Sequence, residues 1–311
     1  MRTWLYEYND TNWKDKLTKL DGNTIIYDEI GNPLNDGTWT YTWQAGRLLN
    51  SMSRVEGSDT VTMEFTYNHA GLRTKKIKKV NGIAAETTEY ILNGKNVVAL
   101  IHTNHDTSEV NRLHFYYDAQ GRVALVDFNG TLYSYAHNLQ GDIIGILDSS
   151  GNIVVEYKYD AWGKSVSSTG TLTTTLGKLN PFRYRGYVWD AEIEMYYLRS
   201  RYYDCFNNRF PNSDIRVQLE LIQTNFFTYC LNTPNNLIDP SGQTPTSTDA
   251  NEALQDLRES FFYNIEDRIK RSSDPQQYSS DYEKALDLLL KIRETITYDV
   301  KYTQYNGHLN L

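Results

Sequence analysis

The feature that most restricts how this chain can fold is a short unit that keeps returning between Ile25 and Val166. It reads "IIYDEIGNPL" (Ile25 to Leu34), "YTWQAGRLL" (Tyr41 to Leu49), "FTYNHAGLRTKK" (Phe65 to Lys76), "YYDAQGRVALVD" (Tyr116 to Asp127) and "YKYDAWGKSV" (Tyr157 to Val166). In each copy an aromatic-rich run leads into Asp, Asn or Gln, Gly follows a few residues later, and a second strand-like run begins. A short polar side chain that can accept backbone N–H groups, followed by a residue that tolerates positive φ, is what a tight reversal requires. Each unit therefore predicts a β-hairpin. Looser copies at "YILNGKNVVAL" (Tyr90 to Leu100) and "NLQGDIIGILDSSGNIVVEY" (Asn138 to Tyr157) fill the gaps. One hairpin is barely stable alone, so the series has to stack neighbours to bury its apolar side. The expected fold class is mainly β, an array of β-hairpins, and the abundance of Tyr (25, against 10 Phe) predicts much half-exposed sheet.

The rhythm weakens after Gly163 into the Ser/Thr/Gly-rich "VSSTGTLTTTLGKLNP", followed by a dense aromatic and arginine segment from Asn180 to Phe210. A second change comes at "DPSGQ" (Asp239 to Gln243). All six Trp lie at or before Trp189, and of 19 Gly only Gly307 follows Gly242. Beyond it "TPTSTD" is linker-like, and two helices are expected. Leu254, Leu257, Phe261, Ile265 and Ile269 mark the first, with Asp249 and Glu252 as a capping box, and Asp281 to Thr295 the second. The expected organisation is a hairpin array over 1–179, a core segment over 180–243, and a small α-helical C-terminal domain over 244–311.

The unit is cleanest in Tyr117, Asp118, Gly121, Arg122 and in Tyr159, Asp160, Gly163, Lys164, and this resembles the YD repeats of the RHS family. The stretch "RYRGYVWDAEIEMYYLRSRYYDCFNNRFPNSD" with "NFFTYCLNTPNNLIDPSGQ" resembles the RHS-associated core of the same family. The resemblance covers about Ile25 to Gln243. It implies a β-sheet ribbon forming a shell, closed by the core and followed by a variable C-terminal domain, commonly a toxin in bacterial competition systems. It also implies self-cleavage by an aspartyl protease, with the catalytic aspartates falling on Asp214 and Asp239 and the cut after Gln243. Two carboxylates in close contact share a proton, so one can act as base and the other as acid. The chain departs from the family pattern at Cys205 (usually Pro), Asn208 (Gly), Ile215 (Pro) and Gln243 (Leu), and "IRVQLELIQT" (Ile215 to Thr224) lacks the Gly-rich run usual there. The partners implied are an immunity protein for the C-terminal domain, and a β-rich shell partner or a second copy that pairs with open sheet edges. The implied destination is secreted or cell-surface by a specialised route, with a cytoplasmic stage before export.

The residues also carry plainer assignments. Asp239, Pro240, Ser241 and Gly242 fit positions one to four of a type I turn, and Asp214 fits a cap on the segment that follows it. The other function class is accordingly an inert cell-surface or secreted repeat protein that binds protein or carbohydrate without catalysis. A net charge of -8 argues against a nucleic-acid surface in the repeats, and the basic run "RTKKIKK" (Arg73 to Lys79) is expected to be an exposed strand whose lysines discourage edge pairing. Arg183, Arg185, Arg199, Arg201 and Arg209 are expected to stack on aromatics and pair with Asp190, Glu192 or Glu194. Cys205 and Cys230 are expected to be reduced and structural. "HTNHD" offers His102, His105 and Asp106 at a spacing that could touch a metal, but only His114 and His137 are further candidates in the repeats and no cysteine pair supports them, so surface polar residues are expected; "GKS" at Gly163 reads as a hairpin turn, and no cofactor is expected. No apolar run reaches membrane-spanning length, and "MRTWLYEYNDTNW" lacks the apolar centre of a signal peptide.

Overall fold

The computed structural model describes residues 5–214 and 225–247, all within a compact unit that runs from Met1 to Thr248. The two expected C-terminal helices, and the segment after Asp214, lie outside the described residues.

Strands β1 (Tyr6–Glu7), β2 (Lys19–Leu20) and β3 (Asn23–Thr24) form a small antiparallel sheet. A 14-stranded sheet follows, and its spatial order is the order of the chain. Its strands are β4 (Ile26–Tyr27), β5 (Pro33–Asn35), β6 (Thr40–Gln44), β7 (Leu48–Glu56), β8 (Asp59–Tyr67), β9 (Arg73–Val80) and β10 (Ile83–Asn93). They continue through β11 (Asn96–Asn104), β12 (Glu109–Tyr117), β13 (Val123–Phe128), β14 (Thr131–His137), β15 (Ile143–Leu147), β16 (Ile153–Tyr159) and β17 (Ser165–Thr169). Neighbours pair antiparallel throughout. Every hairpin expected from the repeats is present, and "GKS" lies in the turn between β16 and β17.

The turns form as their side chains require. Asp118 accepts the N–H groups of Gln120 (3.0 Å) and Arg122 (2.9 Å), while Gly121 takes φ 79°. Asp28, Asn68, Asn138, Asp148 and Asp160 make the same two bonds in their own turns. The tyrosine preceding the turn has a separate task. Tyr67, Tyr117 and Tyr159 donate their hydroxyls to the carbonyls of Leu49 (2.9 Å), Val97 (2.8 Å) and Ile143 (3.0 Å) on the adjacent strand. The repeat tyrosine thus ties one hairpin to the strand before it.

One face of the ribbon is buried. Val61, Met63 and Phe65 alternate along β8, and Asn111, Leu113 and Phe115 along β12, with the intervening residues more exposed. Each large apolar side chain buried in this way contributes about 1.5–3 kcal/mol. The buried face is covered by the residues after β17: helix α1 (Leu176–Leu179), a three-stranded sheet of β18 (Val188–Asp190), β19 (Met195–Tyr197) and β20 (Tyr202–Tyr203), and the loops around them. Tyr184, Tyr187, Tyr196, Tyr203 and Tyr229 form a buried aromatic cluster there, with Tyr203 stacked on Tyr229 at 3.9 Å. This corrects the expectation of half-exposed tyrosines. Much of the Tyr excess is buried, because these hydroxyls find internal acceptors such as the Gly163 and Trp162 carbonyls. Cys205 and Cys230 are unbridged and buried in the same cluster. Burial pushes both thiols up, Cys230 to about 12.

The basic run also departs from expectation. Strand β9 is an interior strand flanked by β8 and β10, so its lysines cannot guard an edge. Instead Arg73 and Lys76 point into the core and hold Asp190, which is fully buried. Arg73 Nη2 lies 3.1 Å and Lys76 Nζ 2.9 Å from Asp190 Oδ1, and Lys76 also reaches Glu192 at 2.7 Å. Burial alone would raise the Asp190 carboxyl, but the two cations outweigh it and hold it below the usual range. The arginines of the core segment do stack on aromatics, Arg183 on Tyr157 (3.8 Å) and Arg201 on Phe210 (3.6 Å). Their carboxylate partners differ from those expected: Asp190 and Glu192 pair with Arg73 and Lys76 of β9, and Arg185 pairs with Asp142. His102 and His105 are engaged by Thr88 (3.1 Å) and Thr87 (2.8 Å) respectively.

Candidate active site: an aspartate pair around Arg201

Asp214 and Asp239 meet at one guanidinium. Arg201 Nη2 lies 2.8 Å from Asp214 Oδ2 and 3.9 Å from Asp239 Oδ2. Arg201 is itself buried, stacked on Phe210, and donates through Nη1 to the Phe226 carbonyl (3.1 Å) and through Nε to the Gly242 carbonyl. Burial lowers its basicity to about 10, against the opposing pull of both aspartates, so it stays charged at neutral pH.

Each aspartate is placed by a different part of the fold. Asp214 follows Ser213, whose hydroxyl donates to the Ile30 carbonyl (2.7 Å) in the turn between β4 and β5. Arg47, from the turn between β6 and β7, donates to both the Ser213 carbonyl (2.6 Å) and its hydroxyl oxygen (2.7 Å). Asp214 N–H then donates to the Phe226 carbonyl at 2.9 Å. The repeat turns therefore fix the first aspartate. Asp239 follows β21 (Leu237–Ile238), which pairs with β22 (Thr246–Ser247) across the "DPSGQ" turn. Its N–H donates to the Tyr187 hydroxyl (2.8 Å) of the aromatic cluster.

The turn itself is held against the core. Ser200 donates from its hydroxyl to the Ser241 carbonyl at 2.6 Å, and Gly242 packs so closely that a Cβ would meet the Leu198 carbonyl oxygen at 2.9 Å. With φ at +71°, position 242 requires glycine on both counts. Asp239 Oδ1 accepts the N–H of Gln243 (3.0 Å) and of Thr244 (3.2 Å). Its other oxygen, Oδ2, is buried and makes no hydrogen bond among the described residues. Burial raises the Asp239 carboxyl above its usual value, and Arg201 and the backbone donors only partly offset this. The type I turn reading and the paired-carboxylate reading thus describe the same residues: one oxygen closes the turn and the other faces the second aspartate's arginine.

The sequence identified both aspartates but not Arg201 as their link. It was one arginine among five, and no spacing set it apart. A pocket of about 380 Å³ opens beside the pair, with Asp214, Ser241 and Gln243 in its wall.

Comparison with known proteins agrees with the fold. The Teneurin YD-shell family model matches residues 1–236. The tRNA3(Ser)-specific nuclease WapA of Bacillus spizizenii and the tRNA nuclease WapA of Bacillus subtilis are each 35% identical over 237 residues, 74% of this chain and 10% of theirs. Mouse teneurin-1 is 23% identical over 222 residues, 70% of this chain and 8% of its own. The chain therefore spans about a tenth of the length of these relatives. Among solved structures, the Photorhabdus luminescens Tc holotoxin pore superposes with a TM-score of 0.59 at 19% identity, covering 78% of this chain and 13% of that one. TcdB2-TccC3-Cdc42 gives 0.57 at 18% identity, covering 77% and 13%. With its ordered hairpins, its Asp/Asn–Gly turns and its tyrosine ties, the chain belongs to the RHS/YD-repeat family, as a YD-shell protein.

Proposed function

We propose that this chain is a YD-shell scaffold that carries a toxin-type C-terminal domain after Gln243 and releases it by cutting its own backbone there. The observation that carries the reading is the contact of Asp239 Oδ1 with both Gln243 N–H and Thr244 N–H, the second being the nitrogen of the bond to be cut. In the proposed step Asp214, ion-paired with Arg201 at 2.8 Å, takes a proton from water as the water oxygen bonds to the Gln243 carbonyl carbon. Asp239, whose carboxyl burial raises above its usual value, serves as the acid that passes a proton to Thr244 N as the C–N bond breaks. The products are a carboxylate on Gln243 and an amine on Thr244, and neither metal nor cofactor enters the balance.

The carried domain, residues 244–311, would act as an effector, in line with the nuclease names of the WapA relatives. On this reading it has an immunity protein as partner, and a secreted or cell-surface destination reached by a specialised route. The test is the pair of variants Asp214→Asn and Asp239→Asn, incubated beside the parent chain. An Asn at 239 keeps an oxygen to accept the turn's N–H groups, so folding survives while acid chemistry is lost. The parent should accumulate a fragment ending at Gln243, and both variants should stay intact. Equal cleavage in all three would remove the aspartates from the reaction.

A further inference from the structure

Phe226 stands where three parts of the fold meet. Its carbonyl accepts Asp214 N–H at 2.9 Å and Arg201 Nη1 at 3.1 Å, so one backbone oxygen anchors both members of the 2.8 Å ion pair at the candidate site. Its own N–H donates elsewhere, to Asp15 Oδ2 at 2.7 Å, across 211 positions of chain. Asp15 is half-buried in the loop between β1 and β2, and that loop is built to present it. Asp10 Oδ1 accepts the N–H groups of Asn12 (3.0 Å) and Trp13 (2.9 Å), and Lys16 pairs with Asp10. Arg209, from the core segment, donates through Nη2 to the Asp15 carbonyl at 3.2 Å and through Nη1 to the Tyr8 hydroxyl at 2.8 Å. The Trp13 ring packs edge-on against Phe226, with centroids 6.2 Å apart, and lies so close to Gly31 that a Cβ there would meet it at 2.6 Å. The Gly31 carbonyl in turn accepts Ser213 N–H at 3.1 Å. The loop therefore touches both supports of Asp214: the Phe226 carbonyl, and the turn that holds Ser213.

We propose that Asp15 is a positioning residue for the cut, holding the Phe226 N–H and with it the carbonyl to which Asp214 and Arg201 both bond. The inference rests on the cleavage reading above and adds to it a residue that lies outside both the repeats and the core segment. Asp15 takes no chemical part in the reaction. Its role needs only an acceptor oxygen at the right place, and a carboxylate makes that bond short and strong. Without it residue 226 keeps its aromatic contacts, but its N–H is left unpaired beside the site and its carbonyl is free to turn. A base displaced by a fraction of an ångström from its water loses much of the advantage of being held there. The hydrolysis itself is unchanged: water adds to the carbonyl of residue 243 and the bond to Thr244 N breaks.

The test compares self-cleavage rates of full-length chains, each measured well below its own melting temperature. Asp15→Ala removes the acceptor and should cut roughly tenfold slower than the parent. Asp15→Asn keeps an oxygen for the Phe226 N–H and should restore most of the parent rate. Asp148→Ala serves as the stability control, because it removes a comparable acceptor of two N–H groups from the distant turn between β15 and β16. It should lower the melting temperature and leave the rate at the parent's value. An Asp15→Ala chain that cuts as fast as the parent would overturn the proposal and leave the cleavage reading standing. So would an Asn chain as slow as the Ala one, or an Asp148→Ala chain slowed in step with its lost stability, since the rate would then follow charge or folding and not the acceptor. If the parent itself stays intact, the cleavage reading fails and takes this inference with it.

Discussion

Asp239 and Asp214 are the same residue type in two environments, and the difference supports the roles proposed for them. Asp239 is enclosed, with one oxygen closing a turn and the other 3.9 Å from Arg201 without a hydrogen bond among the described residues, and burial raises its carboxyl; Asp214 has Arg201 at 2.8 Å. The pH dependence follows in sign. A step that uses protonated Asp239 is fastest below its raised value and declines as pH rises through it, so the alkaline limb should lie above the usual carboxylate range. A rate profile across acid and neutral pH would locate it, and a rate that climbs steadily with pH would reverse the assigned roles. Stability carries the same sign: a carboxyl raised on folding supports the fold at low pH and costs it as pH rises through the folded value. Both aspartates were legible in the sequence only through the motif that surrounds them, because composition and spacing offered equally good turn and cap roles. Arg201 was not legible as their partner, since which carboxylate an arginine reaches depends on loops brought together from Arg201, Asp214 and Asp239 by the fold.

At the scale of elements, the hairpins were readable because all their determinants are local. A turn residue, a glycine and a preceding tyrosine act within a few residues or on the adjacent strand. The role of β9 was not readable, because it depends on a segment more than a hundred positions away: Arg73 and Asp190 are 117 residues apart. That pair fastens the ribbon to the segment that covers it. Replacing Asp190 with Asn leaves Arg73 buried without its carboxylate partner and Lys76 with Glu192 alone, and should cost about 3–5 kcal/mol. Urea denaturation monitored by tryptophan fluorescence would register it; a loss below about 1 kcal/mol, the value of a surface pair, would contradict the burial argument. The pairing of β21 with β22 has a further consequence. Leu237 and Ile238 face Ser247 and Thr246 across the expected cut, so breaking the bond at Gln243 leaves the ladder in place. The cleaved halves should therefore co-elute in gel filtration and separate only in denaturant. Immediate separation in native buffer would show that this ladder does not retain the product.

At the scale of the whole molecule, a repeat ribbon and a covering core hold the proposed cut site between them. The ribbon places Asp214 through Ser213, Ile30 and Arg47, and the core places Asp239 through Tyr187. The protease reading therefore requires both parts to be folded at once. That would suit a shell that processes its own chain only after it has assembled, and it explains why the two aspartates read in the sequence as a separate turn and cap. The most direct test of the central claim is mass spectrometry of the purified full-length chain after incubation in water enriched in heavy oxygen. The account predicts a fragment ending at Gln243 that carries one heavy oxygen in its new carboxylate, together with an unlabelled fragment beginning at Thr244. Intact chain alone under all conditions, or a fragment ending at Asp239 from acid scission of the Asp–Pro bond, would contradict it.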